Sequence, residues 1–182
     1  MKELSLNILD IAKNSTKAAA TLVEITIEEN KEILTITVSD NGTGMTEETL
    51  ESVTSPFSTS RTTRKVGMGI PLFKFAAEQT GGTLTVTSKH IDKHPENHGT
   101  STSATFFKNH IDFTPLGDVT SSLITLIQGN PDIDFRFSHK TERGEVSLDT
   151  SDLREVLEEV PLDSFEVLLW IEENLREQYS LI

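Results

Sequence analysis

The stretch Asp40-Asn41-Gly42-Thr43-Gly44 follows an alternating run in which Leu34, Ile36 and Val38 are the apolar members. Side chains in a strand alternate between its two faces, so Asp40 continues the apolar face. A carboxylate aimed at a core needs a hydrogen-bond donor, and the amino group of an adenine would be suitable. The two glycines let the backbone approach a flat ring without side-chain clashes. The alternative is an ordinary turn, because Asp, Asn and Gly are common turn residues.

A second glycine cluster, Gly67-Met68-Gly69, stands just before a helix predicted over residues 70–80. Backbone N–H groups and the partial positive charge at a helix N-terminus suit phosphate. Arg61, Arg64 and Lys65 lie immediately upstream and could meet phosphate oxygens. The chain has neither the P-loop nor the Rossmann glycine pattern. The alternative is a flexible basic loop that enters a helix.

Two polar residues on the first predicted helix, Asp10 and Asn14, are four apart and therefore share one face. The carbonyl of Asn14 suits a Mg²⁺ ion that takes its other ligands from phosphate and water. Asp10, one turn away, could orient or deprotonate a water or hydroxyl group. The alternative is a solvated polar face. A further pair, Gly99-Thr100, opens a strand from which Thr100 could support Asp40 directly or through water.

The periodicity up to residue 107 predicts helix, strand, strand, helix, loop, helix, strand and strand. This order favours an α+β fold with one largely antiparallel sheet that is covered by helices on one face. The pattern then restarts. We expect a helix over residues 119–128, two strands near residues 133–137 and 146–148, and two further helices. The predicted organisation is therefore a first domain, residues 1–107, and a C-terminal α+β extension, residues 108–182.

The net charge of −13 is unevenly distributed: residues 1–107 carry −3 and residues 108–182 carry −10. An acidic surface repels phosphates, so nucleic-acid binding is not expected. The longest apolar run has five residues, far fewer than the roughly 20 that span a bilayer, and we expect no membrane association. The chain has no cysteine, which leaves no disulfide or thiolate chemistry. These features predict a cytoplasmic protein whose acidic part serves solubility or docks on a basic partner.

Taken in order, several of these short motifs resemble the boxes of the GHKL superfamily of gyrase, heat-shock chaperone, histidine kinase and mismatch-repair (MutL) ATPases. Asn14-Ser15 is similar to the N-box, and residues 40–45 to the D-x-G-x-G box. Pro56-Phe57-Ser58-Thr59 is similar to the F-box of histidine kinases. Residues 67–70 and Gly99-Thr100 are similar to the second and third glycine boxes. The resemblance covers residues 1–107.

The resemblance implies a two-layer α/β sandwich, the Bergerat ATP-binding fold, with ATP between a helical layer and a mobile lid over residues 46–66. It also implies Mg²⁺ on Asn14 and adenine on Asp40, with Thr100 supporting that carboxylate. The implied nucleotide contacts are completed by Gly42, Gly44, Met45, Arg61, Arg64, Lys65, Gly67, Met68, Gly69 and Ile70.

The resemblance is incomplete at two points. The position of Asp10 is often Glu in the ATPases and Asn in the histidine kinases. The ATP domain begins at residue 3, so we expect no phosphoacceptor helices and no autophosphorylation on histidine. His90, His94 and His98 fall in a Pro-containing loop, where we expect them to be solvated and not bound to a metal.

Two functions remain open from the sequence. The first is a stand-alone kinase or ATPase that acts on a protein partner in trans, similar to the bacterial anti-sigma serine kinases, with Asp10 as its base. The second is an ATP-gated switch that changes its affinity for a protein partner with negligible turnover. A homodimer is compatible with either function.

Overall fold

Apolar residues at helical spacing bury one face of the first helix, α1 (Leu4–Lys17). Leu4, Ile8 and Ile11 are almost inaccessible to solvent. The sequence predicts this helix as far as residue 19. It ends two residues earlier because the chain turns at Ala19, whose φ of 56° is left-handed.

The computed structural model describes residues 2–54 and 68–182. The further helices in that part of the chain are α2 (Glu47–Thr54), α3 (Gly69–Gln79), α4 (Val119–Gly129), α5 (Thr150–Leu157) and α6 (Phe165–Ser180). The strands are β1 (Leu22–Glu29), β2 (Ile33–Asp40), β3 (Thr83–Lys89), β4 (Gly99–Phe107), β5 (Asp134–Lys140) and β6 (Glu145–Asp149). Every predicted element in the described ranges is confirmed, with its ends displaced by a few residues.

The strands form one sheet in the order β3-β4-β2-β1-β5-β6, and all neighbours are antiparallel except β1 and β5. Alternate side chains bury one face, on which Ile25, Ile36 and Ala104 have no exposed surface. The opposite face carries Ser and Thr side chains that pair across strands, as in the 2.9 Å contact between Thr37 and Ser103 hydroxyls. This confirms a sandwich of helices on one sheet.

The C-terminal extension continues this sheet. β5 pairs in parallel with β1, so that Phe137 lies beside Ile25, and β6 pairs with the free side of β5. Arg136 joins the strands on the solvent side by ion pairs of 2.7 Å to Glu24 and 2.8 Å to Asp149. Buried residues of α4 and α6 belong to the same hydrophobic core as those of α1. The predicted boundary at residue 107 therefore falls within one sheet and one core.

Within residues 2–54 and 68–182, no helix combines the length and the apolar character that crossing a membrane requires.

A shared core predicts that the two parts of the chain unfold together. Phe137→Ala should lower the free energy of unfolding by about 3–5 kcal/mol, because Phe137 is 1% exposed and its loss leaves a cavity. Circular dichroism reports the whole chain, whereas fluorescence reports only Trp170 on α6, the chain's single tryptophan. Both signals should shift to the same new midpoint.

Phe75→Ala is the matched control, because Phe75 is 59% exposed and its loss should change stability by less than about 0.5 kcal/mol. Two separate transitions, of which only the fluorescence transition responds to Phe137→Ala, would contradict the shared core.

Candidate functional site

A cavity of about 250 Å³ lies between α1, the ends of β2 and β4, and the start of α3. These elements bring together residues that are far apart in the sequence. Six residues predicted to bind a nucleotide line it: Asn14, Asp40, Gly44, Met45, Ile70 and Thr100.

The carboxylate of Asp40 is the principal charged group of the cavity. It lies at the end of β2 on the same face as buried Val38, as the strand alternation predicts. Its Oδ1 accepts hydrogen bonds from the backbone N–H groups of Gly42 at 2.9 Å and Thr100 at 3.3 Å. Its Oδ2 accepts one from Ser15 Oγ at 2.6 Å. A carboxylate has about four acceptor positions, so one remains on Oδ2 for a further donor.

Two serines support this site without having been predicted from the sequence. Ser15 is 3% exposed, and the available sequence signals were its place beside Asn14 in the N-box-like pair and its polar side chain within the apolar stripe of α1. Ser88 Oγ accepts from Met45 N at 2.7 Å, donates to the carbonyl of Gly99 at 3.1 Å and lies 2.8 Å from Thr100 Oγ1. Thr100 therefore reaches Asp40 through its backbone, while its hydroxyl holds Ser88.

The two glycines after β2 lie close to backbone carbonyl groups of neighbouring segments. Gly44 has φ of 69°, and a Cβ there would lie 2.0 Å from the carbonyl oxygen of Lys89. A Cβ on Gly42 would lie 2.7 Å from the carbonyl oxygen of Ala18. The sequence argument assigned both glycines to ligand approach. The structure gives an additional reason, since the loop can pass its neighbours only without side chains, and Gly44 alone of the two lines the cavity.

Side chains fix this loop from both sides. Asn41 Oδ1 accepts from the backbone N–H groups of Thr21 at 2.9 Å and Leu22 at 3.0 Å. His98 Nδ1 donates to the carbonyl of Gly42 at 2.6 Å, which identifies Nδ1 as the protonated nitrogen because a carbonyl can only accept. The expectation that His98 is simply solvated is therefore wrong, since one side of its ring is committed to the loop.

The ion pair between Lys93 and Glu47 lies at the rim of this region. The two side chains are 2.7 Å apart, and they connect α2 to the segment between β3 and β4. The hydrogen bond and charge of Lys93 hold the pKa of Glu47 below its ordinary value.

Two polar residues of α1 line the same cavity as Asp40: Asn14 and, one turn further along the helix, Lys17. Lys17 was not predicted as a site residue, although its spacing of three from Asn14 was a usable signal. Asp10 is not among the cavity-lining residues of the described ranges. Asp10 packs instead against the start of α3, because a Cβ added to Gly69 would lie 3.3 Å from the Cβ of Asp10.

The N-terminus of α3 meets the cavity through Ile70, whereas Met68 is 71% exposed and does not line it. The remaining sequence predictions for this region concern residues 55–67, outside the described residues. They are the stretch 56–59 and residues Arg61, Arg64, Lys65 and Gly67.

A second cavity, of about 350 Å³, lies at the opposite end of β1 and beside α6. Several of its polar groups contact one another: Lys108 Nζ lies 2.7 Å from Glu29, and His139 Nδ1 lies 3.0 Å from the Tyr179 hydroxyl. Burial lowers the pKa of His139 and raises the pKa of Tyr179, so both groups stay neutral at pH 7.

Comparison with known proteins gives one family and several relatives. The profile of the family described as histidine kinase-, DNA gyrase B-, and HSP90-like ATPase matches residues 1–113. The heme sensor protein HssS of Staphylococcus saprophyticus is 31% identical over 102 residues, which are 54% of this chain and 21% of that protein. The chain thus aligns with about a fifth of the length of this relative.

Two solved structures share the fold. The N-terminal domain of a DNA repair protein superposes with a TM-score of 0.54 at 22% identity, over 82% of this chain and 53% of that one. The Aquifex aeolicus MutL ATPase domain complexed with ADP superposes with a TM-score of 0.51 at 17% identity, over 87% of this chain and 70% of that one. Both likenesses extend beyond the residues that the family profile matches, so part of the extension shares the fold.

The close approach at Gly44 predicts a strong effect of adding one methyl group. Gly44→Ala should lower the free energy of unfolding by about 2 kcal/mol or more, because it combines left-handed strain with a clash against the Lys89 carbonyl. The measurement is chemical denaturation. Gly129→Ala is the control, because no described heavy atom lies within 4 Å of that Cβ position, and it should stabilise by about 0.5–1 kcal/mol. Equal stabilities of the two variants would contradict the fixed loop.

Proposed function

This chain belongs to the family of histidine kinase-, DNA gyrase B- and HSP90-like ATPases and carries an ATP-binding domain of the GHKL type. On this basis we propose that its cavity binds ATP with Mg²⁺. We further propose that the nucleotide serves an action on a separate protein partner in trans.

The open acceptor position of Asp40 is the observation that carries the adenine assignment. A carboxylate only accepts hydrogen bonds, and the three donors around Asp40 leave room on Oδ2 for the amino group of an adenine. The cavity volume of about 250 Å³ is slightly below the roughly 300–1,000 Å³ of sites for whole drug-sized ligands. It therefore suits the base, while the phosphates lie outside it. Thr100 and Ser15 hold the carboxylate in place.

The cation-binding part of the proposal concerns α1. Asn14 offers a neutral amide oxygen at the cavity wall, which suits Mg²⁺ when phosphate supplies the negative charge. Mg²⁺, when bound, supplies positive charge to the phosphate oxygens. Lys17 adds an ammonium group beside Asn14. Further phosphate contacts are proposed for Arg61, Arg64, Lys65 and for the backbone of residues 67–70, with Gly42 and Met45 in the adenine loop.

The primary candidate for the activity is a kinase or ATPase in which Asp10 accepts the proton of a hydroxyl group or water. The second candidate is an ATP-gated switch, because Asp10 packs against Gly69 and is not among the described residues that line the cavity. Asp is also one methylene shorter than the Glu that many related ATPases carry. We propose residues 1–107 as the nucleotide-binding unit and residues 108–182 as an acidic extension, in a protein whose two candidate activities are both compatible with a homodimer.

Asp40→Asn should lower the affinity for ADP and ATP by about 10–100-fold. The change removes a charge-assisted hydrogen-bond acceptor and places an N–H₂ group against groups that are themselves donors. The measurement is titration calorimetry, with GDP as a comparison nucleotide that should bind weakly to both proteins. Asp132→Asn makes the same chemical change at an exposed position away from the cavity and should leave the affinity unaltered. An Asp40→Asn protein that binds ADP as tightly as the wild type would remove Asp40 from the adenine site.

Asp10→Asn separates the two candidate activities. If Asp10 is the base, the variant should bind Mg-ATP within about threefold of wild type and lose about 10²–10⁴-fold in phosphate release. Wild type and Asp132→Asn are measured in parallel by release of labelled phosphate. Unchanged turnover in Asp10→Asn, or no turnover in the wild type despite tight binding, would contradict the catalytic role and favour the switch.

A further inference from the structure

An apolar groove of about 460 Å³ runs between α5 and α6, away from the nucleotide cavity, with which it shares no residue. Its walls are Leu153, Val156 and Leu157 on α5, and Glu166, Val167 and Trp170 on α6. Five of these six side chains are apolar.

The apolar side chains in and beside this groove are open to solvent. Val156 is 81% exposed and Trp170 is 50% exposed, both within the groove. Phe165 is 74% exposed in the first turn of α6. Single exposed apolar residues are ordinary on protein surfaces, but a cluster of this size around a groove marks an interaction site.

The chain segment that forms this groove is strongly acidic, and one of its acids, Glu166, lines the groove. Residues 150–173 contain eight acids and one base. The one basic residue, Arg154, forms an ion pair with Asp134 of β5 at 2.7 Å. Within residues 2–54 and 68–182, Glu155, Glu159 and Glu166 have no cationic partner. The groove is thus an apolar channel with an unpaired carboxylate, Glu166, in its wall, set in an acidic segment. We call the acids of residues 150–173 the acidic rim.

We propose that this groove binds an amphipathic helix of a protein partner, with the apolar face of that helix in the groove and Lys or Arg side chains against its acidic rim. A helix in a groove is anchored by apolar residues at positions i, i+3, i+4 and i+7, which match a channel between two helices. The basic flanks follow from charge complementarity, which raises association rates and rejects acidic partners. The inference goes beyond the proposed nucleotide chemistry and does not depend on it.

The same charges disfavour two other occupants. A second copy of this chain would bring an identical acidic rim against the first across a twofold interface. An anionic membrane would meet the same repulsion. A basic amphipathic helix satisfies both the apolar channel and the rim.

Trp170 makes the test direct, because it is the only tryptophan in the chain and it lines the groove. The probes are three synthetic helical peptides without tryptophan: Leu at helical spacing with Lys elsewhere, the same Leu pattern with Glu elsewhere, and a Lys peptide with its Leu positions scrambled. Without nucleotide, only the first peptide should produce a saturable blue shift of Trp170 fluorescence. Its affinity should fall on raising NaCl from 0.15 to 1 M, because the Debye length shrinks from about 8 to 3 Å.

Two variants locate the binding. Val156→Glu should weaken the first peptide by about tenfold or more, because it places a charge in the channel. Ile111→Glu makes a matched change at a residue that is 95% exposed outside the groove, and it should leave the affinity within about twofold. Reversing the charge in the groove wall, Glu166→Lys, should shift the preference from the Lys peptide toward the Glu peptide.

Several outcomes would overturn the proposal. Equal binding of the scrambled peptide would show attraction by charge alone, and equal binding of the Glu peptide would remove the role of the rim. Concentration-dependent dimers in sedimentation that Val156→Glu abolishes would make the groove an interface between copies. A larger Trp170 shift with neutral lipid vesicles than with the first peptide would assign the groove to a membrane surface.

Discussion

A single carboxylate at the edge of the core, that of Asp40, sets the requirements that its neighbours meet. The strand alternation aims it toward the helices, where a charge without partners is costly. A hydroxyl from α1 and two backbone N–H groups, one within the following turn and one across the sheet, satisfy three of its acceptor positions. The helix, the strand pair and the turn are therefore fastened at one point, and the position left over faces the cavity. The same contacts that stabilise the charge also orient it for a ligand.

The acidic extension is built into the architecture that presents this carboxylate. β5 lies beside β1, whose other neighbour is β2, the strand that ends in Asp40. Helix α4 packs on α1, and α6 packs on α4, so a continuous layer of helices leads from the cavity to the groove. The two surfaces thus belong to one layer of helices, although each has its own residues and its own charge. The apolar groove remains on the far part of the extension, where the uncompensated acids are concentrated.

Much of the fold followed from local periodicity. Alternation placed β1 to β6, and helical stripes placed α1, α5 and α6. Proline and glycine at its ends placed α3, and the parity of β2 put Asp40 on the core face. Parallel pairing of β5 with β1 could not be predicted, because it joins segments more than a hundred residues apart and leaves no local pattern. The partners of the site glycines were equally hidden, since Gly44 faces the Lys89 carbonyl from another strand. Ser15 was visible as half of the N-box-like pair and as a polar residue in an apolar stripe, whereas the role of Ser88 depends entirely on the strand register.

A crystal structure with Mg²⁺ and a non-hydrolysable ATP analogue tests the central claim most directly. The account predicts the adenine in the cavity between α1 and the end of β2, with its amino group within hydrogen-bond distance of the Asp40 carboxylate and the metal ion on Asn14. A nucleotide bound elsewhere, for example in the cavity beside His139, would contradict it. So would an adenine that lies in the predicted cavity but turns its amino group away from Asp40.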